Sequence, residues 1–183
     1  MRKLALVIPI SAVAIGGATA WKLTRPPAEL VAVVRVADVR PAPRSALYDE
    51  HAEIVRLERY YGRHKLLVAF FDGRQGPDQS ELLHTLRAEF PRFHAAGVIT
   101  VAISALLPSQ HRQGAERHAP FPFPMLSDIR DYEVHKAWGA FDETTNEPVE
   151  AVFIVDRAGV IRYTHLATDD LLTPDDWINE LAR

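Results

Sequence analysis

LLVAFFDGRQGPDQSE, from Leu66 to Glu81, is the stretch whose reading decides the fold. Leu66–Phe71 is an unbroken apolar run of strand length, the pattern of a strand covered on both faces. Asp72, Gly73 and Gly76 tolerate the left-handed backbone of a tight turn. Pro77 suits the first turn of a helix, and Asp78 and Glu81 suit its positive N-terminal end. A strand, a tight turn and a helix start in succession are where an α/β fold usually places its reactive groups. No thiol stands there, and the 183-residue chain has no cysteine. Thiolate nucleophiles, dithiol exchange, disulfide staples and cysteine-based zinc sites are thereby excluded. The net charge of −3 comes from mixed signs without basic runs, so no nucleic-acid footprint is present.

Downstream, Leu83, Leu86, Phe90 and Phe93 recur at three- and four-residue steps. A helix from about Asp78 therefore turns one stripe towards a sheet. Pro91 predicts a kink or an early end, and Gly97 a stop. Val98–Ser104 (VITVAIS) reads as a second buried strand, and Pro108–His118 as a polar helix. Phe121–Leu126 (FPFPML) is extended, because Pro122 and Pro124 hold their preceding residues out of the helical region. Ser127–Asp128 opens a helix over Ile129–Trp138 that Gly139 ends. After a polar loop at Phe141–Asn146, Ala151–Asp156 and Val160–Ala167 form a hairpin closed by Arg157, Ala158 and Gly159. A last helix starts with Thr173 as cap and Pro174, Asp175 and Asp176 in its first turn, and it buries Trp177, Ile178 and Leu181. Upstream, Ala52–Leu57 alternates like a short strand. This order predicts a mixed sheet with helices on both sides.

The N-terminus is a different kind of sequence. Arg2 and Lys3 precede the mostly apolar Leu4–Ala18, and Ala18-Thr19-Ala20 has the small-residue spacing of a signal-peptidase site. Residues 1–21 are expected to be a signal peptide or a membrane anchor. The reading leans towards an uncleaved anchor, with the basic end inside and the domain on the extracytoplasmic side. Residues 22–45, with Pro26, Pro27, Pro41 and Pro43, are expected to be a stiff tether. Within them, Leu30–Val36 has strand composition. Residues 46–183 are expected to form the one folded domain.

Four segments together resemble a known family: EIVRLERYYGRHKLLVAFFDG, GVITVAIS, FPFPMLSD and AVFIVDRAGVIRY, in that order. The chain resembles the redoxin branch of the thioredoxin fold, the alkyl hydroperoxide reductase/thiol-specific antioxidant (peroxiredoxin-like) group. The resemblance implies a thioredoxin-like α/β three-layer sandwich, with a central mixed sheet and helices on both faces, from about Ala46 onwards. It also implies a peroxidase site, and here the residues depart from the pattern. Laid on the thioredoxin-type C-G-P-C turn, Gln75-Gly76-Pro77-Asp78 keeps the Gly-Pro centre and replaces both cysteines, with Glu81 at the acidic position that follows. Laid on the peroxiredoxin pattern, Asp78 or Gln79 takes the cysteine position, Gln75 that of threonine and Phe71 that of proline. The family arginine falls near Glu150, of opposite charge. A carboxylate is not reversibly oxidised by peroxide and repels peroxide anion, so the family's thiol chemistry is not expected here. The family's cis-proline before the hairpin has Pro148 as its only candidate.

The expected site is thus a degenerate turn, Gln75, Gly76, Pro77, Asp78 and Glu81, with a cleft formed by Asp72, Phe121, Pro148 and Glu150. Asp72 and Asp78 side by side would share a raised pKa. His111 and His118, seven apart, read as solvated histidines on one helical face rather than metal ligands. No metal or cofactor is expected. The first functional expectation is a redox-inactive binding module for a protein or peptide partner, or for a second copy, tethered at a membrane. The alternative is an antioxidant or oxidoreductase acting without a thiol, or carboxylate chemistry at Asp72, Asp78 and Glu81. Whether the chain is an enzyme stays open at this point.

Overall fold

The computed structural model describes residues 39–117, 119–166, 177, 179 and 181. All belong to the second of the chain's two units, Arg35–Arg183. The expected N-terminal anchor, the strand-like Leu30–Val36, His118 and the cap of the last helix lie outside the described residues. No helix among the described residues is long and apolar enough to cross a membrane.

The apolar run becomes β4 (Lys65–Phe70), the middle of an eight-stranded mixed sheet. The strands are β1 (Arg40–Pro41), β2 (Ala46–Tyr48), β3 (Ile54–Arg56), β4, β5 (Val98–Ser104), β6 (Met125–Ser127), β9 (Ala151–Val155) and β10 (Val160–Leu166), in the order β1-β10-β9-β4-β5-β6-β2-β3. A separate small ribbon joins β7 (Phe141–Asp142) to β8 (Glu147–Pro148). β4 runs parallel to β5 and antiparallel to β9. Leu66 to Phe70 are fully buried because successive side chains enter two different cores. Leu67, Ala69 and Phe71 meet Leu83, Leu86 and Phe93 of α1 (Glu81–Ala95) together with Met125, Ile154, Trp177 and Leu181. Leu66, Val68 and Phe70 meet Leu126, Phe153 and Trp138, the last from α3 (Glu133–Trp138). Helices therefore cover both faces, as expected of a thioredoxin-like three-layer fold. Burial of each large side chain of α1 contributes about 1.5–3 kcal/mol.

Several boundaries differ from the sequence reading. A 3-10 turn over Pro77–Gln79 precedes α1, and Ser80 caps the helix by accepting from Leu83 N at 3.3 Å. α1 continues through Pro91 to Ala95, so the proline does not end it. α3 starts at Glu133 rather than Ile129, because Asp131 and Tyr132 hold left-handed backbone angles. Asp128 still caps it from outside, accepting at Oδ2 from Val134 N and His135 N, both at 2.9 Å.

Residues 40–45, assigned above to the tether, are part of the folded unit. Arg40 and Pro41 pair with Ile161 and Val160, Ala42 N donates to Gly159 O at 2.8 Å, and Trp138 Nε1 donates to Ser45 Oγ at 3.1 Å. Pro41 is tolerated because β1 is an edge strand, where a missing N–H breaks no ladder.

Candidate functional site

The turn after β4 is built by the backbone outward. Phe71 N still bonds Ile103 O at 3.0 Å, and Asp72 N donates to Glu150 Oε1 at 3.1 Å, so the strand end is tied to the approach to β9. Asp72 Oδ1 accepts from Arg74 N at 2.9 Å, and its Oδ2 accepts from Arg74 Nε and Nη2, each at 2.8 Å. Gly73 is required by crowding: a Cβ there would stand 2.6 Å from Leu106 Cγ. Gly76 turns the chain at φ +94°.

This turn and the 142–150 segment enclose a cleft of about 570 Å³. Of the residues singled out from sequence, Asp72, Gln75, Gly76, Glu81, Pro148 and Glu150 line it together. Arg74, Asp142 and Glu147, which the sequence reading missed, line it as well. The only sequence signal for Asp142 and Glu147 was the density of acidic residues around the loop before Pro148. Five carboxylates (Asp72, Glu81, Asp142, Glu147, Glu150) thus face one guanidinium, which already holds Asp72 and lies 3.5 Å from Glu147. No histidine is among the lining residues. The peptide before Pro148 is trans, since no cis bond occurs among the described residues.

Three expected site residues lie elsewhere. Pro77 and Asp78 face α2 (Pro108–Arg117) instead of the cleft. Asp78 is 9 % exposed, and its Oδ1 accepts from Arg117 Nη2 at 3.2 Å and its Oδ2 from Gln79 Nε2 at 2.9 Å. Phe121 lies under the Arg87 guanidinium, 3.9 Å from the ring centre, beside a separate apolar pocket of about 300 Å³ with Phe123 and Met125.

The raised pKa expected of Asp72 is not found. Burial pushes its carboxyl up, but the hydrogen bonds and charge of Arg74 outweigh this and hold it below the usual carboxylate range. Asp142 is likewise lowered, first by the backbone N–H of Thr144. His111, expected to be solvated, is wholly buried: its Nε2 bonds Ser104 Oγ at 2.8 Å and its Nδ1 lies 3.1 Å from Met125 O. Burial pushes its pKa down to about 4, so it is neutral at physiological pH.

Of the two residues laid on the family's cysteine position, Asp78 is bonded to Arg117 and Gln79 lines the acidic cleft. Comparison with known proteins agrees with the fold. The sequence profile of the AhpC/TSA family matches residues 39–164. Alkyl hydroperoxide reductase E of Mycobacterium bovis, and that of Mycobacterium tuberculosis, are 34% identical to this chain over 127 residues, covering 68% of it and 82% of the relative. Among solved structures, Mycobacterium bovis AhpC superposes with a TM-score of 0.67 at 17% identity, covering 78% of this chain and 89% of that one. Peroxidoxin BcpB from Mycobacterium tuberculosis superposes with a TM-score of 0.67 at 16% identity, covering 79% and 95%. By profile, by identity to its relatives and by topology, the chain belongs to the AhpC/TSA family.

Proposed function

We propose that this chain is a redox-inactive binding module of the AhpC/TSA family, held outside the cytoplasmic membrane by its N-terminal segment, whose cleft takes an extended peptide bearing positive charge. The observation that carries this reading is the lining of the cleft: five carboxylates against one arginine that is already paired. Such a surface attracts cations and repels peroxide and thiolate anions. Peroxide reduction is the activity in the names of the curated relatives. The family's thiol route needs a sulfur that this chain does not have; of the two residues laid on the cysteine position, Asp78 is turned away from the cleft and Gln79 lines it.

The test pairs two assays. A fluorescently labelled lysine-rich peptide and a glutamate-rich one are titrated with the protein at low and high salt. The lysine-rich peptide is expected to bind in a salt-sensitive manner, and combined Glu81→Gln, Asp142→Asn and Glu147→Gln to weaken it about tenfold or more. Peroxide consumption is followed with a thiol reductant in parallel. Equal binding of both peptides defeats the ligand class, and peroxide turnover above a metal-free blank defeats the redox-inactive reading.

A further inference from the structure

α2 touches the turn that floors the cleft through three residues spaced by three. His111 packs on Phe71, with ring centres 6.0 Å apart, where the chain leaves β4. Gly114 lies so close to Pro77 that a Cβ there would stand 2.2 Å from Pro77 Cγ. Arg117 bonds Asp78. Positions 111, 114 and 117 fall along one side of a helix, so a single rigid element holds the chain just before the turn, at Phe71, and near its end, at Pro77 and Asp78. His111 in turn fastens α2 to the sheet, through Ser104 at the end of β5 and Met125 at the start of β6.

We infer that α2 is a clamp which positions the turn from Gly73 to Ser80, and that taking up a proton at His111 releases it, so the floor of the cleft loosens on acidification. The imidazole has a hydroxyl and a backbone carbonyl as its two bonding partners. If Nδ1–H donates to Met125 O, Nε2 must accept from the Ser104 hydroxyl. A second proton would sit on Nε2. Ser104 Oγ would then have to accept from His111 while it already accepts from Leu106 N at 3.2 Å, with its own hydrogen left to find another partner. The groups facing His111 are Ser104 from β5, Met125 O from β6 and the Phe71 ring after β4, and none of them titrates. Two charged groups bind the same neighbourhood: Glu50, whose Oε2 accepts from Met125 N at 3.1 Å, and Arg112 on α2, which bonds Glu50 O. The Met125 carbonyl favours the imidazolium, and burial outweighs it. Burial is the leading cause of its lowered pKa, and opening α2 removes that burial. With about 4 closed and the ordinary 6.5 open, the open population rises about 20-fold from about pH 7 to about pH 5.

Hydrogen exchange of the full chain, read as protection factors, tests this without reference to any ligand. The turn amides Gly76, Gln79 and Ser80 are expected to lose about 20-fold in protection over that interval, while Val68 and Phe153 in the central strands keep theirs. His111→Gln is expected to flatten the pH dependence. Gly114→Ala is expected to lower turn protection already at neutral pH, because its methyl displaces Pro77. Unchanged turn protection in the native chain overturns the inference, as does an equal loss in the central strands. Should His111→Gln fail to fold, the native pH series alone decides by where protection is lost. Full turn protection in folded Gly114→Ala removes the clamp itself.

Discussion

Replacing Asp128 by alanine removes three hydrogen bonds from one buried oxygen. Oδ2 accepts from Val134 N and His135 N at 2.9 Å and from His135 Nδ1 at 2.7 Å, with both side chains at most 2 % exposed. The proton between this pair sits on His135 Nδ1, since a carboxylate only accepts. His135 Nε2 has no hydrogen-bond partner among the described residues and the ring stacks edgewise on Phe70, with centres 4.9 Å apart. Each buried donor left without a partner costs about 1–3 kcal/mol, and breaking one side of a buried pair about 3–5 kcal/mol. Asp128→Ala is therefore expected to cost about 3–5 kcal/mol, a large part of the roughly 5–15 kcal/mol typical of a domain. In urea, with a slope of about 2 kcal/mol per M, the midpoint falls by roughly 1.5–2.5 M. Asp128→Asn keeps an acceptor for the two backbone amides and is expected to lose roughly half as much. Asp128→Ala with His135→Phe removes one orphaned donor, so the double variant should be less destabilised than the sum of the singles by at least about 1 kcal/mol. A loss below about 1 kcal/mol for Asp128→Ala, or strict additivity in the cycle, refutes the reasoning.

Other expectations are simpler to check. By carboxyl NMR, Asp72 should titrate below the ordinary 3.8, and Arg74→Ala should lift its midpoint. The sign follows: the stabilisation from this lowered pKa is full above 3.8 and is lost as pH falls through the folded value. Gly159→Ala should lower stability by about 1–2 kcal/mol, because φ is +76° and the new methyl would meet the Tyr61 side chain at 3.1–3.3 Å. Mass spectrometry of the chain from membranes should find residues 1–20 retained, and a mature start at Trp21 refutes the anchor.

The strong apolar periodicities were legible. β4, β5, the 151–166 hairpin and the buried stripe of α1 follow from runs that can be satisfied in only one kind of environment. β1, β2 and β7 were not, because strands of two or three residues carry no period, and Pro41 and Pro43 read as linker. The late start of α3 depends on left-handed angles at Asp131 and Tyr132, which no pattern announces. The residues around the cleft were largely found. The direction of Asp78 was missed because it stands in a 3-10 turn ahead of the helix, so helical spacing from Glu81 does not apply to it. The burial of His111 was hidden too: a polar helix with histidines spaced by seven looks solvated until Ser104 and Met125 are brought to it.

The position of β4 also bears on how the chain is made. Its parallel partner follows after a single helix, but Phe70 pairs on the other side with Ala151, 81 residues later. At about 5–20 residues per second a ribosome needs roughly 4–16 s to span that interval. For those seconds a strongly apolar strand of the nascent chain has one raw margin, able to zip onto any neighbouring polypeptide.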